Sequence, residues 1–120
     1  MFFKIINFFF SDSQRYYGRS LPFGNNSWSG NNIQFLTIEQ ALADYTAILS
    51  YLQNTYRHSL NDQNVPVVVF GAGYGGVLAT QLRFKYPWVV DGALASAAPL
   101  NVISGLTPPT IFYREVTKVY

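Results

Sequence analysis

Apolar positions divide the first half of the chain into a strand-like run and a periodic segment. Phe and Ile dominate residues 1–10, and turn-forming residues follow, so this run predicts one buried strand. From Thr37 to about His58, apolar residues recur every three to four positions, which predicts an amphipathic helix. Thr37 and Gln40 form a capping-box pair at its start. The predicted apolar face consists of Leu42, Tyr45, Ile48 or Leu49, Leu52 and Tyr56.

The second half alternates short apolar runs with helical segments. Residues 67–70 are continuously apolar, which predicts a parallel strand buried on both faces. Residues 76–85 predict a helix that ends before Pro87, and residues 92–98 predict another buried strand. A closing helix is expected over residues 112–120, and the Gly-, Asn- and Ser-rich residues 24–32 predict a loop. This alternation is typical of an α/β fold with a parallel sheet.

Composition narrows the class of protein further. The 120 residues, 49% hydrophobic and 12% charged, are too apolar for a disordered chain and fit one domain over residues 1–120. Scattered cations with a net charge of +2 do not favour nucleic-acid binding, and no apolar run is long enough to span a membrane. With no cysteine and one histidine, no metal site is expected. Residues 1–12 are a poor signal peptide, because their apolar core is short and interrupted by Asn7.

The glycine-rich turn after residues 67–70 has two interpretations. Gly71, Gly73 and Gly76 fit the dinucleotide pattern G-x-G-x-x-G, with Asp91 as the candidate ribose-binding acid. The clearer strand, however, follows Asp91 instead of preceding it. The alternative is the nucleophile elbow G-x-S-x-G, with Gly71 and Gly75 at the close-packed flanking positions. Position 73, where that pattern needs serine, is glycine.

Five segments, in order along the chain, resemble the lysosomal prolyl carboxypeptidase and dipeptidyl peptidase II family. Residues 15–24 resemble its R-Y-Y-G-x-S-L-P-F-G, and residues 36–45 its L-T-x-E-Q-A-L-A-D-F/Y. Residues 70–76 stand where the family has F/I-G-G-S-Y-G-G; residues 82–87 resemble R-M/F-K-Y-P, and residues 92–99 resemble G-A-L-A-A-S-A-P. Residues 112–117 are similar to the dipeptidyl peptidase II branch in particular. The resemblance covers about residues 15–120 and favours the elbow over dinucleotide binding.

The resemblance implies a serine exopeptidase with an α/β-hydrolase core that cuts after proline or a small penultimate residue. It maps the nucleophile onto Gly73 and one oxyanion-hole donor onto the backbone N–H of Tyr74. Because glycine has no hydroxyl, the chain is predicted to form no acyl-enzyme. The resemblance implies no cofactor, a peptide as substrate or ligand, and a lysosomal or secreted location. Ala72, Ser13–Gln14 and the order Ser96–Ala97 depart from the family's pattern.

The remaining triad members are expected outside these 120 residues, since acid and histidine follow the serine in this fold. Asp91 is then a loop acid, and His58, which precedes the elbow, belongs to a helix end. Three other serines have no visible base to activate them: Ser20, Ser96 and Ser104. Two tyrosines are predicted to pack in the core, Tyr16 and Tyr17, whereas Tyr74 is predicted to face the site.

By the same resemblance, the chain holds the central, incomplete portion of an α/β-hydrolase sheet, ordered strand, helix, strand, elbow, helix, strand. The family's third strand, which lies between the fourth and fifth, is expected to be missing, so that two inner edges stay open. A non-catalytic peptide-binding protein remains an alternative, as does, less favoured, the dinucleotide unit. Asn25 begins an N-glycosylation sequon, Asn25–Asn26–Ser27, which matters only in a secreted chain.

Overall fold

The structure, a computed structural model, describes residues 2–5, 8–11, 13–59 and 65–119. Its strands are β1 (Phe2–Ile5), β2 (Phe8–Ser11), β3 (Val67–Ala72) and β4 (Gly92–Ser96). Its helices are α1 (Ile38–Ser59), α2 (Tyr74–Lys85), α3 (Leu100–Ile103) and α4 (Ile111–Val119). Two short 3₁₀ helices begin in the segment predicted as a loop, residues 24–32: Gly24–Asn26 lies within it and Gly30–Phe35 extends three residues beyond it. Within these ranges, no helix is both long enough and apolar enough to cross a membrane.

One mixed sheet joins the four strands in the order β2-β1-β3-β4. Only β3 and β4 are parallel, with Val68 beside Gly92 and Ala72 beside Ser96. The run predicted as a single strand forms two, β1 and β2, which pair antiparallel. β1 also pairs antiparallel with β3, so the prediction that this inner edge stays open is wrong. A strand edge is a row of unpaired N–H and C=O groups, and the N-terminal residues satisfy them here.

Helix α1 positions β3 through its apolar face. The hydroxyl of Thr37 accepts a hydrogen bond from the Gln40 N–H at 3.2 Å, which confirms the predicted cap. Leu42, Tyr45 and Leu49 are buried, whereas Ile48 is 41% exposed, so Leu49 is the core residue at that turn. These side chains form one core with residues of β3, of α2 and of the segment before β4: Val67, Val69, Leu78, Ala79, Leu82, Val89 and Val90.

Burial of the parallel pair is one-sided in the described residues. Val67 and Val69 are fully buried, while Val68 and Phe70 are only partly buried. Alternate side chains of a strand point to opposite faces, so only one face of β3 is closed. β4 is largely exposed, and Leu94 keeps 59% of its surface in contact with solvent. The predicted strands are therefore present, but β3 is not buried on both faces and β4 is not buried, so both predictions of burial are wrong.

A charged clamp holds the segment between β2 and α1 against that helix. Arg15 donates two hydrogen bonds to Asp44, from Nε to Oδ2 and from Nη2 to Oδ1, each 2.6 Å long. Its Nη1 donates to the Gln40 side chain at 3.0 Å and to the Phe35 carbonyl at 3.2 Å. Hydrogen bonding to Asp44 raises the pKa of Arg15 against the opposing effect of burial. The clamp thus joins the two segments that carry the most extended sequence resemblance.

Substituting Asp44 by alanine is expected to lower the free energy of unfolding by about 1–2 kcal/mol, because the paired guanidinium loses two charge-assisted bonds. The expected loss of stability is modest because the Asp44 side chain is 42% exposed, and water weakens the interaction of exposed charges. Urea denaturation measures the change. Glu39→Gln, on the same helix at an exposed position, is the control and should shift the value by about 0.5 kcal/mol or less. Equal effects of the two substitutions would contradict the role of the clamp.

The two neighbouring tyrosines have opposite environments. Tyr16 is 2% exposed, its ring contacts Trp28 edge-on at 5.6 Å, and its hydroxyl donates to the Asn32 carbonyl. Core packing is therefore confirmed for Tyr16. Tyr17 is 53% exposed, so the same prediction is wrong there. The positive φ of 70° at Tyr16 turns the chain between them.

Candidate elbow site between β3 and α2

A single residue, Gly73, converts strand β3 into helix α2. Its φ of 54° and ψ of −122° lie in a region that L side chains rarely adopt. Its N–H donates to the Ser96 carbonyl of β4 at 2.9 Å. Its own carbonyl accepts from the N–H groups of Gly76 and Val77, at 3.0 and 3.2 Å. The turn is thus fixed on both sides, to the neighbouring strand and to the first turn of α2.

Two other glycines allow the helix to approach the strand. A Cβ at Gly71 would lie 2.0 Å from the Gly75 carbonyl oxygen, which excludes any side chain. A Cβ at Gly76 would lie 2.9 Å from the Cβ of Ala98 and 3.1 Å from the Gly71 carbonyl oxygen. At Gly75 a Cβ would meet nothing within 4 Å. The sequence predicted Gly71 and Gly75 as the close-packed positions, but the positions that exclude a side chain are Gly71 and Gly76.

The space above Gly73 is open. A Cβ built there meets no atom within 4 Å among the described residues, so only the backbone angles oppose a side chain. Tyr74, the next residue, begins α2 and is 41% exposed. No described residue accepts a hydrogen bond from its backbone N–H. N–H groups at a helix start lack partners within the helix and attract negative charge, so this donor can hold a carbonyl oxygen.

Asp91 lies at the opposite end of β3 from the turn. Its carboxylate accepts a hydrogen bond from the Val67 N–H at 2.8 Å, and its own N–H donates to the Val67 carbonyl at 2.9 Å. Gly73 follows Val67 by six positions, about 20 Å along an extended strand. A ribose-binding acid belongs at the carboxyl end of the sheet, beside the glycine turn. The position of Asp91 is that of a loop acid and argues against a dinucleotide site formed by Gly71, Gly73 and Gly76.

NAD is expected not to bind this chain, because the acid that would hold its ribose is at the wrong end of the sheet. Isothermal titration with NAD measures the interaction directly. Saturable binding with a micromolar Kd that is lost in Asp91→Asn would contradict the elbow interpretation.

The other candidate residues do not form a second nucleophile centre within the described ranges. Ser96 ends β4 with an exposed side chain, and its carbonyl, not its hydroxyl, contacts the turn. The Ser104 hydroxyl donates to the Asn101 carbonyl at 3.2 Å. The Ser20 carbonyl accepts from the Tyr16 N–H at 2.7 Å. In the part of the chain described, no hydrogen bond joins these three hydroxyls to a carboxylate or an imidazole. His58 lies in the last turn of α1, and its side chain is outside the described residues.

The Ser96 carbonyl is a site component that sequence reasoning missed. It reaches Gly73 because β3 and β4 are parallel neighbours whose carboxyl ends lie side by side, with Ala72 paired to Ser96. The predicted strand order already contained that signal, since parallel strands end at the same edge of a sheet.

A parallel strand pair, a one-residue turn at positive φ and a following helix form a strand–elbow–helix unit of an α/β fold, similar to that of an α/β-hydrolase. Comparison with known proteins identifies the family. The sequence profile of the family "Serine carboxypeptidase S28" matches residues 9–106. The chain therefore belongs to the serine carboxypeptidase S28 family.

Individual relatives agree with this assignment. The chain is 45% identical to the lysosomal Pro-X carboxypeptidase of Homo sapiens and 47% identical to that of Bos taurus, over 104 residues each. It is 39% identical over 87 residues to the prolyl carboxy peptidase like protein 5 of Caenorhabditis elegans. These alignments cover 86%, 86% and 72% of this chain, but only 20%, 20% and 17% of the relatives. The chain thus spans about a fifth of the length of the curated relatives it matches.

Membership of the dipeptidyl peptidase II branch of the family stays a prediction. Residues 112–117, on which the similarity to dipeptidyl peptidase II depends, lie beyond the matched residues 9–106.

Proposed function

We propose that this chain is a non-hydrolysing member of the serine peptidase family, with an elbow whose nucleophile position is Gly73. The observation that supports this proposal is the backbone of Gly73, which makes the sharp strand-to-helix turn at φ 54° and carries no side chain. Acyl transfer begins when a hydroxyl oxygen attacks the scissile carbonyl carbon and forms a new C–O bond. Glycine has no atom that can form that bond.

Among the described residues, no carboxylate or imidazole makes a hydrogen bond at the turn. The chain has one histidine, His58, which precedes the elbow, and Asp91 is bonded to the far end of β3. The Tyr74 N–H can stabilise negative charge on a carbonyl oxygen, but such a donor only assists a reaction that another group starts. The Tyr74 N–H donor can therefore be present without a nucleophile, and we propose that this chain keeps only the donor.

Hydrolysis assays test the proposal. Fluorogenic X-Pro dipeptide substrates and peptides ending in Pro-X are incubated with the 120-residue chain at acidic and neutral pH. The expected result is a rate equal to that of buffer. A rate proportional to protein concentration, sustained after repurification, would overturn it.

Peptide binding without cleavage is the second candidate. It is favoured by the open space above Gly73 and by the N–H of the exposed residue Tyr74, from which no described residue accepts a hydrogen bond. A labelled proline-containing peptide followed by fluorescence anisotropy measures the affinity.

Tyr74→Pro is expected to weaken peptide binding about three- to tenfold, because proline lacks the N–H donor yet is tolerated at the first position of a helix. Tyr74→Ala is the matched control, since it removes the ring and keeps the N–H. If Tyr74→Pro binds the peptide as tightly as Tyr74→Ala does, the N–H does not hold the peptide.

We also propose a lysosomal or secreted location, supported by the relatives of Homo sapiens and Bos taurus, which are named as lysosomal enzymes. Microscopy of the tagged chain beside a lysosomal marker tests it. A signal confined to the cytosol would contradict it.

A further inference from the structure

The single Asn-X-Ser/Thr sequon of the chain lies on a surface turn. Asn25 is in the middle of the 3₁₀ helix Gly24–Asn26 and is exposed. Its side-chain amide makes no hydrogen bond to any described residue, so nothing in that part of the chain competes for it. A bulky, solvated glycan is compatible only with such a surface position.

The third residue of the sequon has the opposite environment. Ser27 is 0% exposed. Its hydroxyl accepts from the Phe23 N–H at 3.0 Å and donates to the Gly24 carbonyl at 2.8 Å. The Ser27 N–H also donates to the Gly24 carbonyl, at 3.1 Å. The hydroxyl that makes Asn25 a sequon is thus buried, and in the folded turn it already donates one hydrogen bond and accepts another.

The backbone of the same turn is also held by hydrogen bonds. The Asn26 carbonyl accepts from the Ser29 N–H at 3.1 Å and from the Asn32 side-chain amide at 3.0 Å. A transferase that must contact both the Asn25 amide and the Ser27 hydroxyl cannot reach the hydroxyl without opening these contacts.

We propose that Asn25 is N-glycosylated and that the sugar is attached before residues 23–32 fold, because folding buries the Ser27 hydroxyl. In the transfer, Nδ2 of Asn25 forms a bond to C1 of the oligosaccharide, and the C1–O bond to a lipid diphosphate breaks. The lipid diphosphate leaves, and one amide proton is released to a base. The inference rests on the proposed secretory location, since the lipid-linked donor is met on that route.

Cell-free translation with microsomes tests the site independently of the location. The full chain is directed into the microsomes by a cleavable leader. We expect a mass increase that peptide-N-glycosidase removes. Asn25→Gln should abolish it, while the matched control Asn26→Gln, which keeps the sequon, and Ser27→Thr, which keeps a hydroxyl, should retain it. If the leader-directed chain shows no such mass increase, the proposal that Asn25 is glycosylated is overturned.

The timing is tested with purified chain in detergent-solubilised microsomes. Chain diluted directly from urea should be modified at least tenfold more than chain that was folded beforehand. Equal modification of the two would overturn the proposed order of glycosylation and folding. A different result would separate the two proposals. If the leader-directed chain carries the glycan and the chain from its native cells does not, the proposed secretory location is contradicted, whereas Asn25 remains a glycosylation site.

Discussion

Gly71→Ala is expected to destabilise the chain by about 3 kcal/mol or more, since overpacking of this kind forces the backbone to move. The added Cβ would lie 2.0 Å from the Gly75 carbonyl oxygen and 2.6 Å from the Gly76 nitrogen. These are backbone atoms of the first turn of α2, so no side chain can rotate away to relieve the clash. The helix would have to separate from β3, and residues of α2 such as Leu78 would leave the core. A loss of this size is a large share of the total stability of a domain, about 5–15 kcal/mol.

Gly75→Ala is the matched control, four residues away in the same unit. A Cβ there meets nothing within 4 Å, and alanine is a better helix former than glycine. We expect the free energy of unfolding to stay the same or to rise by about 1 kcal/mol or less. Urea denaturation of both variants gives the comparison. Similar stability for the two would show that α2 does not approach β3 at Gly71 as described.

Gly73→Ser is expected to leave the chain without peptidase activity, although it restores the hydroxyl that the family pattern requires. In a well-studied serine protease, removing one key triad member costs turnover about as much as removing all three, roughly a millionfold. No histidine or acid of the described residues is hydrogen-bonded at the turn, so restoring serine alone should recover almost nothing. Turnover of a fluorogenic X-Pro substrate measures the gain.

Gly73→Ala is the matched control for Gly73→Ser, because it distinguishes the effect of the hydroxyl from the effect of backbone strain. Both variants place a Cβ at φ 54°, which costs about 1–3 kcal/mol of stability, while the space around the Cβ is open. They should therefore unfold at similar urea concentrations and differ only in the hydroxyl. Hydrolysis by Gly73→Ser that is absent from Gly73→Ala would reveal a base that the described residues do not place at the turn.

The elements that the sequence predicted well are those determined by local interactions. The apolar period from Thr37 onward and its capping pair predicted α1 to within one residue at each end, Ile38–Ser59. The glycine cluster predicted the strand-to-helix turn, because only glycine tolerates the positive φ found at Gly73 without strain. The helix begins at Tyr74, two residues before the predicted start.

The features that the sequence did not predict depend on distant partners. The Phe- and Ile-rich N-terminal run has no marked alternation, so its division into β1 and β2 could not be inferred. Its pairing with β3, Phe2 beside Phe70, is set by the sheet and not by neighbouring residues. The exposure of Leu94 was missed because an apolar composition does not state which face of a strand another element will cover.

The backbone turn at Gly73 was predicted from the sequence, but its contacts were not. The roles of Gly73 and of the Tyr74 N–H stay predictions, whereas the need for glycine at Gly76 follows from Ala98, which lies after the neighbouring strand. The hydrogen bond from Gly73 to the Ser96 carbonyl likewise requires the register of β3 against β4. Contacts between parallel strands of distant sequence cannot be obtained from a motif alone.

Labelling of the unmodified chain with a fluorophosphonate probe is the most direct test of the claim that the elbow has no nucleophile. The probe reacts with activated serines, and peptide mass spectrometry locates the modified residue. We expect no labelling at Ser20, Ser96, Ser104 or any other serine above the level of the urea-unfolded chain. Stoichiometric labelling of one serine in the folded chain would contradict it.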